Sequence, residues 1–160
     1  MTSPLVTARL RRATVSNSGW YLNRLITFLA IGDDTDGQFA LLRVHGSQGD
    51  GPPPHYHVHE DETIYLLEGE MTVYAGGEEL HVRPGDTVTI PRGIEHAVRH
   101  ETAEVTYLLQ FSPAGFERYF HEMSAPAEYL GLPPHPVPPD HALMVTTAAR
   151  YGCVFTVPTP

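Results

Sequence analysis

The stretch GDGPPPHYHVHEDETIYLLEG, residues 49–69, carries a Gly- and Pro-rich start, three alternating histidines and an apolar segment. Alternate residues of a β-strand point to one face, so His55, His57 and His59 would project together. At about 3.3 Å per residue, His55 and His59 lie about 13 Å apart, whereas metal–nitrogen bonds measure about 2 Å. A metal would therefore use one adjacent pair, and strand parity alone leaves open which pair. The alternative interpretation is a surface loop whose His and acidic side chains titrate in solvent.

The size of the chain predicts one domain. At 160 residues it is long enough to bury a core and too short for two ordinary domains. We expect a single domain over 1–160, with a barrel core over about 20–112 and a C-terminal helical extension over about 113–160.

The charge and cysteine content narrow the classes of partner. Ten basic against nineteen acidic residues give a formal charge of −9, which disfavours nucleic acid or an anionic membrane surface as partner. The single Cys153 has no partner for an internal disulfide, and no signal-peptide segment follows the first residues. The longest apolar run, LITFLAI at 25–31, is far shorter than the roughly 20 residues that span a bilayer. We expect a cytoplasmic protein.

A repeated pattern between residues 20 and 112 predicts β-structure. Short segments rich in Val, Ile, Thr, Tyr and Leu alternate with Gly, Pro, Asp and paired charges, which is typical of an antiparallel sandwich or barrel. Turns are predicted at Gly69-Glu70, Gly76-Gly77 and Pro84-Gly85-Asp86. The predicted strands lie near residues 24–31, 37–45, 54–59, 62–68, 70–75, 78–83, 86–91, 95–100 and 104–111.

The segment SPAGFERYFHEM, residues 112–123, predicts a helix. Ser112 is a suitable N-cap, and Pro113 suits the first helical position. Aromatic and apolar residues recur at helical spacing and predict a face that packs on the β-structure. They are Phe116, Tyr119, Phe120 and Met123.

The remaining C-terminal segments are short. LPPHPVPPD, residues 132–140, predicts an extended connector because proline excludes helix and central strand. Asp140 is predicted to cap a second short helix, which ends near Arg150 before Gly152. The last segment, 154–160, is compatible with an edge strand or a loose end.

Two spaced motifs surround the opening stretch. The first, G-x5-H-x-H-x4-E-x6-G, consists of Gly49, His55, His57, Glu62 and Gly69. The second, G-x5-P-x-G-x2-H, consists of Gly85, Pro91, Gly93 and His96. Over about residues 38–112 the motifs and strand order resemble the cupin superfamily, whose fold is an antiparallel β-barrel of the jelly-roll or double-stranded β-helix type. More loosely, the chain is similar to bacterial single-domain cupins related to quercetin 2,3-dioxygenase.

Strand geometry gives a physical reason for this spacing. One strand supplies His55 and His57, a turn through Glu60 and Asp61 reverses the chain, and Glu62 opens a partner strand beside them. Pro91 and Gly93 shape the turn that aims His96 from a third strand. Glu60 and Asp61 are interpreted as turn residues only.

The resemblance implies a metal site formed by His55, His57, Glu62 and His96, with His59 outside it. Such a nitrogen and oxygen set suits one divalent transition metal per chain, Ni, Mn, Fe, Co, Cu or Zn. His59 is interpreted as a surface residue, with the pocket rim as the alternative. His100 departs from the family motif, which usually has Asn there, and is either a backbone-bonding structural residue or a group that orients a ligand.

The resemblance further implies a metal-dependent dioxygenase of the quercetinase type, which cleaves a flavonol-like or other enol-bearing aromatic with dioxygen, with Glu62 as catalytic base. A non-redox metallocupin acting as isomerase, cyclase or lyase is the alternative, followed by a non-enzymatic binding protein. The expected partners are an apolar or aromatic small molecule and a second copy of the chain in a homodimer. Residues chosen from strand patterning as candidates to line the pocket are Phe28, Leu42, Ile64, Val73 and Leu109.

Overall fold

The structure is a computed structural model that describes residues 7–156. Short segments rich in β-branched and aromatic residues form its strands, and Gly or Pro separates most of them. In chain order the strands are β1 Ser18–Tyr21, β2 Arg24–Ala30, β3 Ala40–Ser47, β4 His55–His57, β5 Asp61–Glu68, β6 Met71–Ala75, β7 Glu78–Val82, β8 Thr87–Ile90, β9 His96–His100, β10 Glu104–Ser112, β11 Ala125–Pro126 and β12 Cys153–Phe155. The helices are α1 Gly32–Thr35, α2 Glu117–Met123 and α3 His141–Arg150, and a 3-10 turn covers Val15–Asn17.

The strands form two antiparallel sheets that pack face to face. The larger sheet has the order β11-β1-β2-β3-β10-β5-β8, and the smaller has the order β12-β4-β9-β6-β7. This arrangement confirms the predicted all-β jelly roll with short C-terminal helices. The two sheets stay separate as a sandwich and do not close into one hydrogen-bonded barrel. The short strands β1 and β11 and the helix α1 were not predicted.

The core lies between the two sheets because each contributes one apolar face. In β3 the buried residues Ala40, Leu42 and Val44 alternate with more exposed ones. The facing sheet contributes Met71 and Val73 from β6, and both are fully buried. Strand parity therefore decides which side chains face the interior, as the sequence pattern predicts.

The tight turn between β6 and β7 depends on two consecutive glycines. Gly76 and Gly77 have φ values of 59° and 86°, in the left-handed region that other residues rarely occupy. Two such residues in a row make the two-residue hairpin that matches the twist of the flanking strands. The predicted hairpin is confirmed at this position.

The predicted start of the first long helix is wrong. Ser112 is the last residue of β10, and its hydroxyl donates to the Gln38 carbonyl oxygen at 3.1 Å, so it is not available as a helix cap. Helix α2 begins at Glu117, whose Oε2 accepts a hydrogen bond from the Gly115 backbone N–H at 2.6 Å. The packing face is confirmed, since Phe116, Tyr119 and Phe120 are buried.

Helix α3 follows the prediction closely. The Asp140 side chain accepts a hydrogen bond from the Leu143 backbone N–H at 3.0 Å, and the helix ends at Arg150. The segment before Asp140 has no regular structure, as its prolines predict. Strand β12, left open by the sequence, pairs with β4, whereas residues 157–160 lie outside the described part of the chain. Within residues 7–156, no helix has both the length and the apolar content needed to cross a membrane.

Candidate metal centre

Two strands of the smaller sheet and one strand of the larger sheet bring the four predicted metal ligands together. His55 and His57 point inward from β4, and His96 at the start of β9 lies directly opposite His55 in the register of the two strands. Glu62 comes from β5 in the other sheet. The prediction that Glu62 opens a strand paired with the His55–His57 strand is therefore wrong, because residues 58–60 cross from one sheet to the other. The carboxylate approaches the imidazoles across the sandwich.

The four side chains converge on one small volume. His55, His57, Glu62 and His96 are all buried, and one ligand atom from each lies within 4.8 Å of the others. His57 Nε2 is 3.1 Å and His96 Nε2 is 3.4 Å from Glu62 Oε2. Neither contact has hydrogen-bond alignment, so both buried nitrogen atoms remain without a partner among the described residues. Buried polar atoms are rarely left unpaired, which indicates that the cluster is shaped for a bound group.

Backbone carbonyls orient two of the imidazole rings. His55 Nδ1 donates to the Pro53 carbonyl oxygen at 2.8 Å, and His96 Nδ1 donates to the Ile94 carbonyl oxygen at 2.9 Å. A carbonyl oxygen only accepts, so Nδ1 carries the proton in both rings and Nε2 presents a lone pair. Orientation of a ligand histidine through its second nitrogen is characteristic of metal sites.

The electrostatics of the cluster favour a neutral His55 and an ionised Glu62 carboxylate. Burial and the neighbouring His96 lower the pKa of His55 to about 3, so His55 is neutral at physiological pH. Burial alone would raise the pKa of Glu62, but His57 and His96 outweigh it and hold the pKa well below its usual range. Burial likewise opposes charge on His96, and the Glu62 carboxylate outweighs it and raises the His96 pKa. The cluster thus offers the neutral His55 imidazole and the negative charge of Glu62, and a cation is favoured beside that carboxylate.

This donor set fits a metal ion. The unpaired Nε2 atoms of His57 and His96 and the ionised Glu62 are the donors that a divalent transition metal would satisfy, and the carbonyl-held His55 completes the set. The ligand set does not discriminate among Ni, Mn, Fe, Co, Cu and Zn.

Glu60 is more deeply buried than the sequence indicates. It was interpreted as a turn residue, but only 3% of its surface is exposed, and Oε2 lies 3.8 Å from His57 Nδ1. Neither atom has a hydrogen-bond partner among the described residues. Asp61 is the first residue of β5 rather than a turn residue, and its partly exposed carboxylate accepts hydrogen bonds from Arg92. Glu60 therefore stands behind His57 on the side away from the cluster.

The cluster opens into a cavity of about 520 Å³. Aromatic side chains form the wall next to the histidines, with the Phe116 and Phe111 rings 4.4 Å and 5.4 Å from the His57 ring, centroid to centroid. Of the five predicted lining residues, Ile64 and Leu109 face the cavity. The other three, Phe28, Leu42 and Val73, are buried in the core away from the cavity. The alternation of residues along a strand predicts which face a side chain is on, but not whether it lies beside the cavity or elsewhere in the core.

A buried ion pair lies in the wall of the same cavity. Arg24 Nε and Nη2 donate to the two carboxylate oxygens of Asp50 at 2.5 Å and 2.8 Å. The side chains are only 5% and 11% exposed. The signal for Arg24 was available in the sequence, since it occupies the same strand face as Ile26 and Phe28 in RLITFLA, where a charged residue is unexpected.

The two remaining histidines of interest lie outside the cluster. His59 is exposed, in agreement with its interpretation as a surface residue. His100 is buried, and its Nδ1 donates to the Ser47 carbonyl oxygen at 3.1 Å. Burial and the charge of Arg24 lower the pKa of His100 to about 4, so the ring is neutral. His100 therefore takes the backbone-bonding role, one of the two proposed for it from the sequence.

Comparison with known proteins agrees with the fold and the cluster. The family described as Cupin domain matches residues 42–111, a range that includes all four cluster residues. Quercetin 2,3-dioxygenase of Bacillus subtilis (strain 168) is 33% identical over 111 residues, 69% of this chain and 32% of that protein. The tetracenomycin polyketide synthase protein TcmJ of Streptomyces glaucescens is 29% identical over 74 residues, 46% of this chain and 50% of that protein.

A solved structure shares the fold. KdgF from Halomonas sp. superposes with a TM-score of 0.55 at 21% identity, over 60% of this chain and 84% of that chain. The jelly-roll fold and the buried cluster of three histidines and one glutamate are consistent with a cupin that could hold a metal ion. The chain belongs to the cupin superfamily. It spans about a third of the Bacillus dioxygenase and half of TcmJ.

Proposed function

We propose that this protein is a metal-dependent dioxygenase of the quercetinase type, acting on a flavonol-like or other enol-bearing aromatic with dioxygen. One observation carries the proposal: the four converging ligand atoms stand at the end of a cavity whose adjoining wall is aromatic. Sequence similarity to the Bacillus quercetin 2,3-dioxygenase supports the same class of chemistry. The substrate and the oxidative reaction are the proposed elements.

The residues of the chain have separable tasks in this reaction. His55, His57, Glu62 and His96 would hold a divalent transition metal. When bound, such a metal lowers the pKa of a coordinated hydroxyl and brings two reactants together. The ionised Glu62 carboxylate would accept the proton of the substrate hydroxyl within the cluster.

The cavity walls support the proposal of an aromatic substrate. The Phe116 and Tyr119 rings stack with an interplanar angle of 11°, and Phe111 lies 5.2 Å from Phe116, centroid to centroid. A planar substrate can pack against such rings while its oxygens reach the cluster. Residues Val137, Pro139 and Met144 add apolar surface from the C-terminal part of the chain and help to exclude water from the reacting groups.

A non-redox metallocupin is the second candidate. TcmJ, a polyketide synthase protein by name, is 29% identical in the matched segment, and cyclisation or isomerisation of a polyketide-like molecule needs only a Lewis acid and a base. The same donor set and the same Glu62 would serve that chemistry. The two candidates differ in their requirement for dioxygen.

Oxygen uptake distinguishes the candidates. Protein of measured metal content is assayed with a flavonol panel in an oxygen electrode, beside the same protein after metal removal. Uptake that depends on both metal and flavonol is the expected result. Turnover that continues without oxygen would transfer the assignment to the non-redox class, and binding without turnover would favour a small-molecule-binding protein.

A further inference from the structure

The cavity has a second polar end remote from the metal centre. His96 and His100 lie on the same face of β9 and are four residues apart, which is about 13 Å along a strand. A Cβ placed on Gly46 would lie 2.6 Å from His100 Cε1 and 3.3 Å from Arg24 Cγ, so both side chains meet over this glycine. The His100 backbone N–H also donates to the Asp50 carbonyl oxygen at 2.8 Å. Arg24 and Asp50 therefore stand at the level of His100.

Asp50 uses only part of the Arg24 guanidinium. Nε and Nη2 are bound by the carboxylate, whereas no described residue accepts a hydrogen bond from Nη1. Arg24 is 4% exposed and lines the cavity. The bidentate pair keeps the guanidinium rigid, so its remaining donors are available to a ligand without loss of side-chain freedom.

The residue next to Arg24 in the chain contributes a second unpaired group. Asn23 also lines the cavity, and its Oδ1 is buried without a hydrogen-bond partner among the described residues. Arg24 thus offers a donor, and Asn23 offers an acceptor. A hydroxyl group can accept from one and donate to the other, whereas an ionised carboxylate can only accept.

We propose that Arg24 and Asn23 form a polar subsite that binds a phenolic hydroxyl at the end of the substrate remote from the metal centre. The inference rests on the proposed function, because it assumes that the other end of the same molecule reaches the metal ligands. It narrows the substrate class to elongated polyphenols with hydroxyl groups at both ends. Asp50 is a positioning residue in this subsite.

The test compares two ligands that share the metal-binding end. Quercetin carries peripheral hydroxyl groups, and 3-hydroxyflavone lacks them. Anaerobic calorimetric titration measures Kd for both with metal-loaded and metal-free protein. We expect quercetin to bind at least about tenfold more tightly, as a hydrogen bond to a charged group implies, and we expect this ratio to persist without metal.

Two variants assign the preference to Arg24. Arg24→Lys keeps the positive charge beside Asp50 but removes the forked donor, and it should reduce the quercetin preference to near unity. The matched control is Arg92→Lys, which alters a surface Arg–Asp pair outside the cavity and should leave the preference unchanged. If Arg24→Lys fails to fold, the double variant Arg24→Gln with Asp50→Asn takes its place and replaces the ion pair with two neutral amides.

The outcomes separate the subsite from the dioxygenase activity. An Arg24-dependent preference without oxygen uptake would support the subsite and reject the dioxygenase. Equal binding of the two flavonols, or a preference that survives in Arg24→Lys, would overturn the subsite even if both are oxidised. Absence of binding by either flavonol would overturn the subsite, and oxygen uptake with other enol substrates would then decide the function on its own.

Discussion

The two ends of the cavity differ in whether their charged side chains form aligned hydrogen bonds. At the metal end, His57 Nε2 and His96 Nε2 lie within 3.4 Å of Glu62 and still have no aligned hydrogen bond. At the other end, Arg24 and Asp50 form a bidentate pair that satisfies both carboxylate oxygens. Unpaired converging atoms indicate a site for a ligand, whereas the Arg24–Asp50 pair fixes the guanidinium in the cavity wall and leaves only part of it for a ligand.

Removal of one metal ligand should have the largest effect. His96→Ala is expected to reduce metal content from about one ion per chain to near zero by elemental analysis, because three ligands with a cavity hold the ion poorly. His59→Ala is the matched control, since His59 is exposed and outside the cluster, and it should retain the metal. Equal metal content in both variants would contradict the assignment of the cluster.

Loss of the carboxylate should affect turnover far more than folding. Glu62→Ala is expected to lower the rate of oxygen uptake by about 10²–10⁴-fold, the range for loss of a general base. Its thermal midpoint should stay near that of the parent protein, because the core between the sheets does not depend on this side chain. Glu68→Ala, at an exposed position of the same strand, serves as control. Near-normal uptake in Glu62→Ala would refute the proposed role.

Breaking the buried Arg24–Asp50 ion pair should lower the stability of the protein. Asp50→Ala leaves the buried Arg24 charge uncompensated, and we expect a loss of about 3 to 5 kcal/mol in the free energy of unfolding. Asp61→Ala breaks a similar Arg–Asp pair on the surface and should have little effect. Denaturant titration of both variants measures the difference. Equal effects would mean that burial does not distinguish the two pairs.

Glu60 is not one of the proposed metal ligands, but we expect it to influence metal affinity through its neighbour His57. Glu60→Gln removes a buried carboxyl group 3.8 Å from His57 Nδ1, and we expect metal affinity to fall about tenfold. The neighbouring exposed position supplies the control Asp61→Asn, which should keep the parental affinity. Competition titration with a chromogenic chelator measures both constants. Unchanged affinity in Glu60→Gln would restrict Glu60 to a structural role.

The smallest expected effect is a pH dependence of the Arg24–Asp50 pair. Burial would raise the pKa of Asp50, but Arg24 outweighs it and lowers the pKa below its usual range. The pair therefore stabilises the fold fully above the unfolded-state pKa of about 3.9 and loses this contribution as pH falls through the lower folded-state pKa. Between pH 5 and pH 2, unfolding free energies of the parent should fall more steeply than those of Arg24→Gln with Asp50→Asn. Parallel curves would contradict the linkage.

The resemblance to the cupin motifs predicted the four candidate ligands, and the structure brings their side chains together in one buried cluster, whereas strand parity alone left open which pair of histidines takes part. The spacing of the motif residues did not predict that β4 and β5 belong to different sheets, since the crossing at residues 58–60 depends on how the whole sandwich packs. It also assigned Glu60 to a turn, because burial by the facing elements is not visible in neighbouring residues. The error at Ser112 has a similar cause. Its hydroxyl donates a hydrogen bond to the Gln38 carbonyl oxygen, which is distant in sequence, and does not cap a helix N-terminus.

The sequence by itself determined the all-β class and the glycine hairpin at Gly76-Gly77, because these follow from strand period and positive φ. The metal-ligand set was implied by the family resemblance and stays a prediction. Only the tertiary structure decided that Arg24 and Asp50, 26 residues apart, form a pair in the cavity wall opposite the metal centre. Such pairing depends on which faces meet when the two sheets pack, and no local pattern encodes that choice.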